Sequence, residues 1–288
     1  MVYIEKRKFQ FLLPVLIYLN LFVIFPTIYT WYMSFLEYGL KERKFIWLAN
    51  FISVIQDSSF QKSLVNTFTL VIGAVVLQFV IGFFVALVLN RRFYGKPFVY
   101  WVVLLPMIVA PVVVGLTFRI LYDPALGLIN YLISIVGLSG PEWLTNSKTA
   151  MISVILIDTW QWSPFMALLL LSGLQYVSTD VLEAAVVDGA SSRQRFQYIT
   201  LPLMKNIIAL ALIFRSLDCF NKTFDIIFMT TRGGPGNSTE IIPTFAYKTA
   251  FQYMKFGKAA AQSIILFLTI IIFITILKRV LKEELVTS

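Results

Sequence analysis

Histidine does not occur in this 288-residue sequence, and cysteine occurs once, as Cys219. Without histidine there is no imidazole general base, no Ser-His-Asp triad and no His-ligated zinc. A lone cysteine inside an apolar segment makes no internal disulfide and no thiolate metal cage. No metal site is expected. Charge is scarce too. Only 14% of residues are Asp, Glu, Lys or Arg, too few to give a soluble domain of this length its polar surface. There is no Gly-rich loop ending in Lys-Ser/Thr, so any ATP used must be bound and hydrolysed by another chain. No internal repeat of roughly 20–50 residues is visible.

What is present is apolar. The chain is 58% hydrophobic, its mean hydropathy is +0.80, and the apolar residues fall in long blocks, as a bilayer requires. Six segments lie near the roughly 20 residues that cross a hydrocarbon core. They are about 9–35, 65–89, 98–121, 150–174, 207–229 and 259–277. The first follows Lys6-Arg7-Lys8, which resembles a signal-peptide start. It is too long for one and has no small-x-small cleavage site, so a retained anchor is expected. Pro106, Pro111 and Gly115 should loosen the third span. A further stretch, 125–138, is too short to span and is interrupted by Gly127 and Asn130. It reads as an interfacial or re-entrant helix outside the membrane.

The net charge of +9 is a matter of topology before it is one of partners. Lys6, Arg7, Lys8, Arg91, Arg92, Lys96, Arg193, Arg195, Lys205, Lys278, Arg279 and Lys282 fall on one side of the six spans. Lys41, Arg43, Lys44, Lys62, Lys148, Arg232, Lys248, Lys255 and Lys258 fall in longer stretches on the other. The denser set marks the inside. The expected fold is an all-α integral membrane protein with six transmembrane helices and both termini cytoplasmic. The basic residues do not interleave with aromatics, so anionic lipid is expected as a partner and nucleic acid is not.

The long inner loop carries helix-end chemistry. Asp180 with Glu183 has the spacing of a capping box, and Ser191 with Gln194 repeats it. Gly189 suits the left-handed position that ends a helix, and Pro202 breaks the chain before the fifth span. These signals alone describe a helical hairpin.

The whole string says more. Glu183-Ala184-Ala185, three residues, Gly189, nine residues and Ile199-x-Leu201-Pro202 resembles, without a gap, the signature of binding-protein-dependent ABC importer permeases. Trp160-Gln161-Trp162-Ser163-Pro164-Phe165-Met166-Ala167-Leu168 is similar to the fourth span of that family's carbohydrate branch. So are Lys222-Thr223-Phe224-Asp225 with Gly233-Gly234-Pro235-Gly236, and Phe256-Gly257-Lys258-Ala259-Ala260-Ala261. The resemblance covers about 98–282 and is nearest to the larger maltose-type permease, without that protein's extra N-terminal spans. Ser191-Ser192-Arg193 departs from it, in a part of the loop that varies among relatives.

The resemblance implies a type I ABC importer permease fold and one permease domain, 1–288, with its core at about 65–282 and a cytoplasmic coupling loop at 176–205. In that family the loop sits in a cleft of the ATPase. Glu183, Ala184, Ala185, Asp188, Gly189, Ile199, Leu201 and Pro202 are therefore the expected coupling residues. The chain would be a non-catalytic transport subunit that binds no cofactor, with ATP and Mg on the ATPase. Two ATPase subunits, a second homologous permease in a heterodimer and an extracellular or periplasmic solute-binding protein are the implied partners. The implied location is the prokaryotic plasma (inner) membrane, and the implied cargo is a sugar or polyol.

Ionisable residues in a span are costly and face protein or a water-filled path. Arg215, Asp218, Lys222 and Asp225 share one face of the fifth span with alternating sign. They form either a structural ion ladder or a pathway lining. Asp158, Trp160, Gln161 and Trp162 sit near the middle of the fourth span. Indoles stack on sugar rings while Asp and Gln bind hydroxyls, so this group suits a polyhydroxylated ligand; plain helix packing is the rival reading. Asn221, Lys222, Thr223 and Asp225 complete the pathway candidates. Arg119 is expected to pair with Asp123. Two other functions remain open. One is a secondary transporter using Asp218 or Asp225 as a proton site, and the other an ABC importer of a non-sugar solute such as a glycerol phosphate. An intramembrane enzyme lacks a catalytic set.

Overall fold

The computed structural model describes residues 12–39 and 43–286, with side chains through residue 281. Lys6, Arg7, Lys8 and Lys41 lie outside the described residues, as does the side chain of Lys282. In chain order the elements are α1 (Leu12–Ser34), a hairpin of β1 (Leu36–Tyr38) and β2 (Arg43–Phe45), α2 (Ala49–Gln56), α3 (Ser58–Asn90), α4 (Lys96–Ile108), α5 (Pro111–Leu121), α6 (Leu128–Ile135), α7 (Ala150–Tyr176), α8 (Thr179–Val187), α9 (Ser192–Arg195), α10 (Leu201–Met229), α11 (Ile242–Tyr247) and α12 (Phe256–Val286). A π-helical turn at Phe196–Thr200 carries α9 into α10, and another at Lys248–Gln252 extends α11.

Among the described residues five helices are long and apolar enough to cross a membrane: α1, α3, α7, α9 continued by α10, and α12. The pair α4 and α5 passes the same test together, bent by 95°, and brings the number to six when counted as one span. The sequence pattern foretold a loosened third helix, not a right-angled break. The residue before a proline is pushed out of the helical region, and Pro111 has no N–H to give. Ala110 is accordingly extended (ψ 136°), and Val109 before it likewise (ψ 133°). The all-helical expectation also omits the small hairpin, whose register pairs Leu36 with Phe45, Glu37 with Lys44 and Tyr38 with Arg43. Strands of three residues leave no alternation to read. The 125–138 stretch forms the eight-residue α6.

The described chain divides into two compact units. One comprises residues up to Gln61 together with Phe245–Leu268. In it the Asn50 amide donates to the carbonyls of Ser34 (2.9 Å) and Leu36 (2.8 Å), which fastens α2 to the end of α1. Lys258 at the start of α12 donates to Asp57 at 3.0 Å. Burial works against the charged form of Asp57. The Lys258 hydrogen bond and charge, with the backbone N–H of Ser59, still hold its carboxyl below the usual range.

The other unit comprises Lys62–Thr244 with the residues from Thr269 on. Its core is α7, where Val154, Ile157, Met166 and Leu170 are fully buried. Small residues let membrane helices approach closely. A Cβ at Gly82 on α3 would come within 2.9 Å of Met166, and one at Gly115 on α5 within 2.8 Å of Met229. At one end of this unit Phe83 packs edge-on against Phe196. At the other end Lys62 and Asn66 donate to the carbonyls of Gly236, Asn237 and Glu240 at 2.8–2.9 Å. The segment 178–200 and the loop 230–241 therefore stand at opposite ends of α3.

Candidate functional site

The mid-membrane polar side chains converge on one buried carboxylate. Asp158 on α7 and Arg215 on α10 are both fully buried and form an ion pair at 2.5 Å. Gln78 on α3 closes the triangle. Its amide N–H donates to Asp158 Oδ2 (2.8 Å), while its Oε1 accepts from Arg215 Nε (2.6 Å). Thr223 Oγ1 donates to Asp158 Oδ1 at 3.2 Å. Three helices are thus tied by one network in which each charge has a partner, the condition under which buried ions are tolerated. Gln78 went unnoticed in the sequence pattern. The available signal was an amide in the middle of an otherwise apolar second span.

Along α10 the network opens. Arg215 Nη1 donates to Asp218 (3.3 Å), and Lys222 pairs with the other oxygen of Asp218 (2.8 Å). Lys222 is half exposed and lies over the Trp162 ring, 4.6 Å from its centre. The Arg215 guanidinium approaches the same ring at 5.2 Å. The Trp162 indole therefore has two cations near its ring, a favourable placement for its electron-rich face.

The other candidates behave differently. Gln161 is fully buried and donates to the carbonyl of Val109 (2.8 Å), the group exposed by the break between α4 and α5. Trp160 turns outward and packs edge-on against Phe118. Asn221 is exposed and its amide donates back to Leu217 O. Among the described residues Asp225 makes no ion pair. The expected pairing of Arg119 with Asp123 does not form either. Asp123 Oδ1 instead accepts from the backbone N–H groups of Ala125 and Leu126, both at 2.9 Å, closer partners that need no long side chain to be ordered. Three buried polar atoms of α7 have no hydrogen-bond partner among the described residues: Thr159 Oγ1, Gln161 Oε1 and Trp162 Nε1.

At the far end of α10, α8 carries Glu183, Ala184 and Ala185. Its N-cap is Ser178, whose hydroxyl accepts from Asp180 N–H. Asp180 falls in the first turn rather than at the cap. The helix ends at Asp188, and Gly189 takes the left-handed conformation (φ 81°), with Ala190 N–H bonding back to Ala185 O. Ser191 and Gln194 then form a reciprocal capping box that starts α9. Ile199 lies in the π turn, and Leu201 and Pro202 open α10. Val186, Val187 and Tyr198 stand exposed here, Val187 by 88%. Two shallow clefts flank them. One, of about 320 Å³, is lined by Asp188, Gly189, Ala190, Gln194, Arg195, Tyr198 and Ile199. The other, of about 370 Å³, includes Glu183, Val186 and Phe196. An apolar tip on a rigid capped hairpin is a surface suited to a protein partner.

Residues 78–285 match the family model described as the binding-protein-dependent transport system inner membrane component. The chain belongs to this family. Such permeases are non-catalytic subunits of the inner membrane. The chain is 34% identical over 277 residues to the trehalose/maltose transport system permease protein of Thermococcus litoralis, covering 96% of this chain and 93% of the relative. It is 31% identical over 259 residues to the sulfoquinovosyl glycerol transport system permease protein of Agrobacterium fabrum, covering 89% and 84%. Among solved structures it superposes on a chain of a bacterial alginate ABC transporter, crystallised with an alginate pentasaccharide-bound periplasmic protein. The TM-score is 0.86 at 22% identity, covering 99% of this chain and 96% of that one. This likeness establishes the fold, that of a type I ABC importer permease.

Proposed function

We propose that this permease carries a neutral sugar or polyol inward by alternating access, driven by ATPase subunits that grip the 178–202 segment. The observation that carries the cargo assignment is the charge balance around Trp162. Asp158, Arg215, Asp218 and Lys222 are two anions and two cations, joined by ion pairs of 2.5–3.3 Å. A site so balanced offers no net charge to attract an anion, and Asp225 beyond it would repel one. It sets an indole beside two buried polar atoms without a partner among the described residues, the indole N–H and Gln161 Oε1, and that set suits the apolar face and the hydroxyls of a sugar ring once the path opens to it. A glycerol phosphate would need a cation free of its carboxylate. The names of the Thermococcus litoralis and Agrobacterium fabrum relatives support the carbohydrate class.

In this reading Asp158, Gln161, Trp162, Lys222, Thr223 and Asp225 belong to the pathway or support it, and Trp160 and Asn221 stand at its margin. Arg215 and Asp218 hold the ladder in register. Glu183, Ala184, Ala185, Asp188, Gly189, Ile199, Leu201 and Pro202 shape the coupling segment, and the exposed Val187 and Tyr198 meet the ATPase. A rigid hairpin continuous with α10 can pass a rigid-body movement from ATPase to span. The 230–241 loop then faces the outside, where a solute-binding protein delivers the cargo. A second, homologous permease completes the pathway in a heterodimer, and ATP and Mg reside on two ATPase subunits. The single permease domain runs through both compact units, with both termini cytoplasmic.

The test is uptake into proteoliposomes holding both permeases and the ATPases, with the binding protein outside. Trehalose, maltose and mannitol are compared with glycerol 3-phosphate. ATP-dependent uptake of a neutral member is expected. Uptake of glycerol 3-phosphate alone, or uptake by this chain alone under a proton gradient, would refute the reading.

A further inference from the structure

Beyond the membrane-depth site, a further cleft of about 440 Å³ opens at the end of the unit opposite the 178–200 segment. That volume lies within the range of small-ligand pockets. Three segments wall it: the end of α5 with the turn after it, residues 144–145, and residues 230–235. Each wall is held in place. The turn is fixed by Asp123 accepting two backbone N–H groups. The second wall follows Trp143, which stacks on Tyr122 at 4.7 Å and donates to Asn130 at 2.7 Å. The third is laced by Thr239, whose hydroxyl meets Thr231 Oγ1 (2.6 Å) and donates to Gly234 O (2.8 Å). A cleft with such walls is formed before any ligand arrives.

Its lining is unusual in one respect. Arg119 and Asp123 stand one helical turn apart in the same cleft, yet no hydrogen bond or ion pair joins them among the described residues. The Arg119 guanidinium has no hydrogen-bond partner there, and Asp123 leaves Oδ2 without one. Asp123 is held below the usual carboxylate range by the N–H groups of Leu126 and Ala125, so it is an acceptor throughout the neutral range. A guanidinium that donates beside a carboxylate that accepts matches adjacent hydroxyls, which can do both. The opposed charges cancel, so the pair favours a neutral ligand. Thr145 lines the cleft as well.

We infer that this cleft is an outer carbohydrate subsite, where a neutral sugar rests between release from the binding protein and descent to Trp162. The inference rests on the functional reading above. Thr230 and Lys222 lie on the same helical run, about 12 Å apart along its axis at 1.5 Å per residue, so one step separates the two sites.

Cys219 is buried, which makes Thr145→Cys the accessible thiol of this chain. The experiment uses the complete reconstituted transporter, and the probe is whichever of trehalose, maltose or mannitol it takes up with ATP. The probe is expected to slow maleimide labelling of Thr145→Cys, and Arg119→Gln with Asp123→Asn should abolish that protection. The same double variant should cut uptake about tenfold at saturating loaded binding protein, the scale of losing hydrogen bonds to charged groups. ATP hydrolysis stimulated by the binding protein should stay within about twofold, as expected where docking is intact. Labelling that no transported sugar slows would overturn the inference and leave the functional reading standing. So would ATP hydrolysis that falls in step with uptake, because the cleft would then seat the binding protein itself. Failure of all three sugars to be transported would instead remove the functional reading beneath it.

Discussion

Arg215 and Lys222 lie two turns apart on the same face of α10 and share Asp218, yet they inhabit different media. Arg215 is fully buried, held by Asp158, Gln78 and Asp218. Lys222 keeps 48% of its side chain exposed and has one carboxylate and one indole. The same alternating charge pattern therefore does two jobs. Where it is buried, each charge is immovable because removing its partner strands an ion in hydrocarbon. Where it opens, the pair exchanges partners at little cost and can serve a ligand that comes and goes. Burial, not residue type, separates the fixed part of the network from its open end.

The sharpest way to break this comparison is at Asp158. Replacing it with Ala should cost about 3–5 kcal/mol, since Arg215 loses its main counter-charge. Thermal unfolding in detergent, followed by size-exclusion chromatography, would register the loss. Asp158→Leu combined with Arg215→Met should regain most of that stability without regaining uptake. A single variant as stable as the parent would show that the pair is not the keystone of α3, α7 and α10. Next comes Gln161→Leu, which frees the carbonyl of Val109 at the α4–α5 break and should destabilise by about 1–3 kcal/mol.

At the open end the effects should invert. Lys222→Gln should change stability by no more than about 1 kcal/mol, while uptake falls about tenfold if the cation and its indole meet the cargo. Equal losses in stability and uptake would make Lys222 structural, like Arg215. The smallest effect belongs to Asp123, outside the spans. Its folded carboxyl titrates below its unfolded value, so its contribution is present above the unfolded pKa and is lost as pH falls through the folded one. Asp123→Ala should flatten that acid-side decline in stability. An unchanged acid limb would mean that the two backbone hydrogen bonds do not matter.

The spans were legible because apolar runs of this length have little alternative, and the family because Glu183 to Pro202 is long and fixed in spacing. The α10 residues could be placed on one face from spacing alone. What spacing could not supply was the third dimension. The ladder looked self-contained, whereas Asp158 and Gln78 arrive from helices 57 and 137 residues away. Pro106 and Pro111 signalled weakness in the third span. The carbonyl that the break frees, Val109 O, accepts from the Gln161 amide, a contact 52 residues distant. Trp160 and Trp162 are indistinguishable as letters, and only the packing of Phe118 against Trp160 and of two cations against Trp162 separates them.

The central claim, that movement enters at the 178–202 segment and reaches the intramembrane network, is tested most directly at Gly189. A Cβ added there meets no atom within 4 Å, and Asp tolerates the left-handed conformation better than most residues. At φ 81° the Asp still carries backbone strain of about 1–2 kcal/mol, so Gly189→Asp should leave the hairpin folded, slightly strained, while placing a charge at the mouth of the cleft beside Tyr198. ATP-driven uptake by the reconstituted transporter is the measurement. The account predicts a variant that still folds, inserts and assembles in the membrane but transports nothing. Uptake by Gly189→Asp at the parent rate would contradict it.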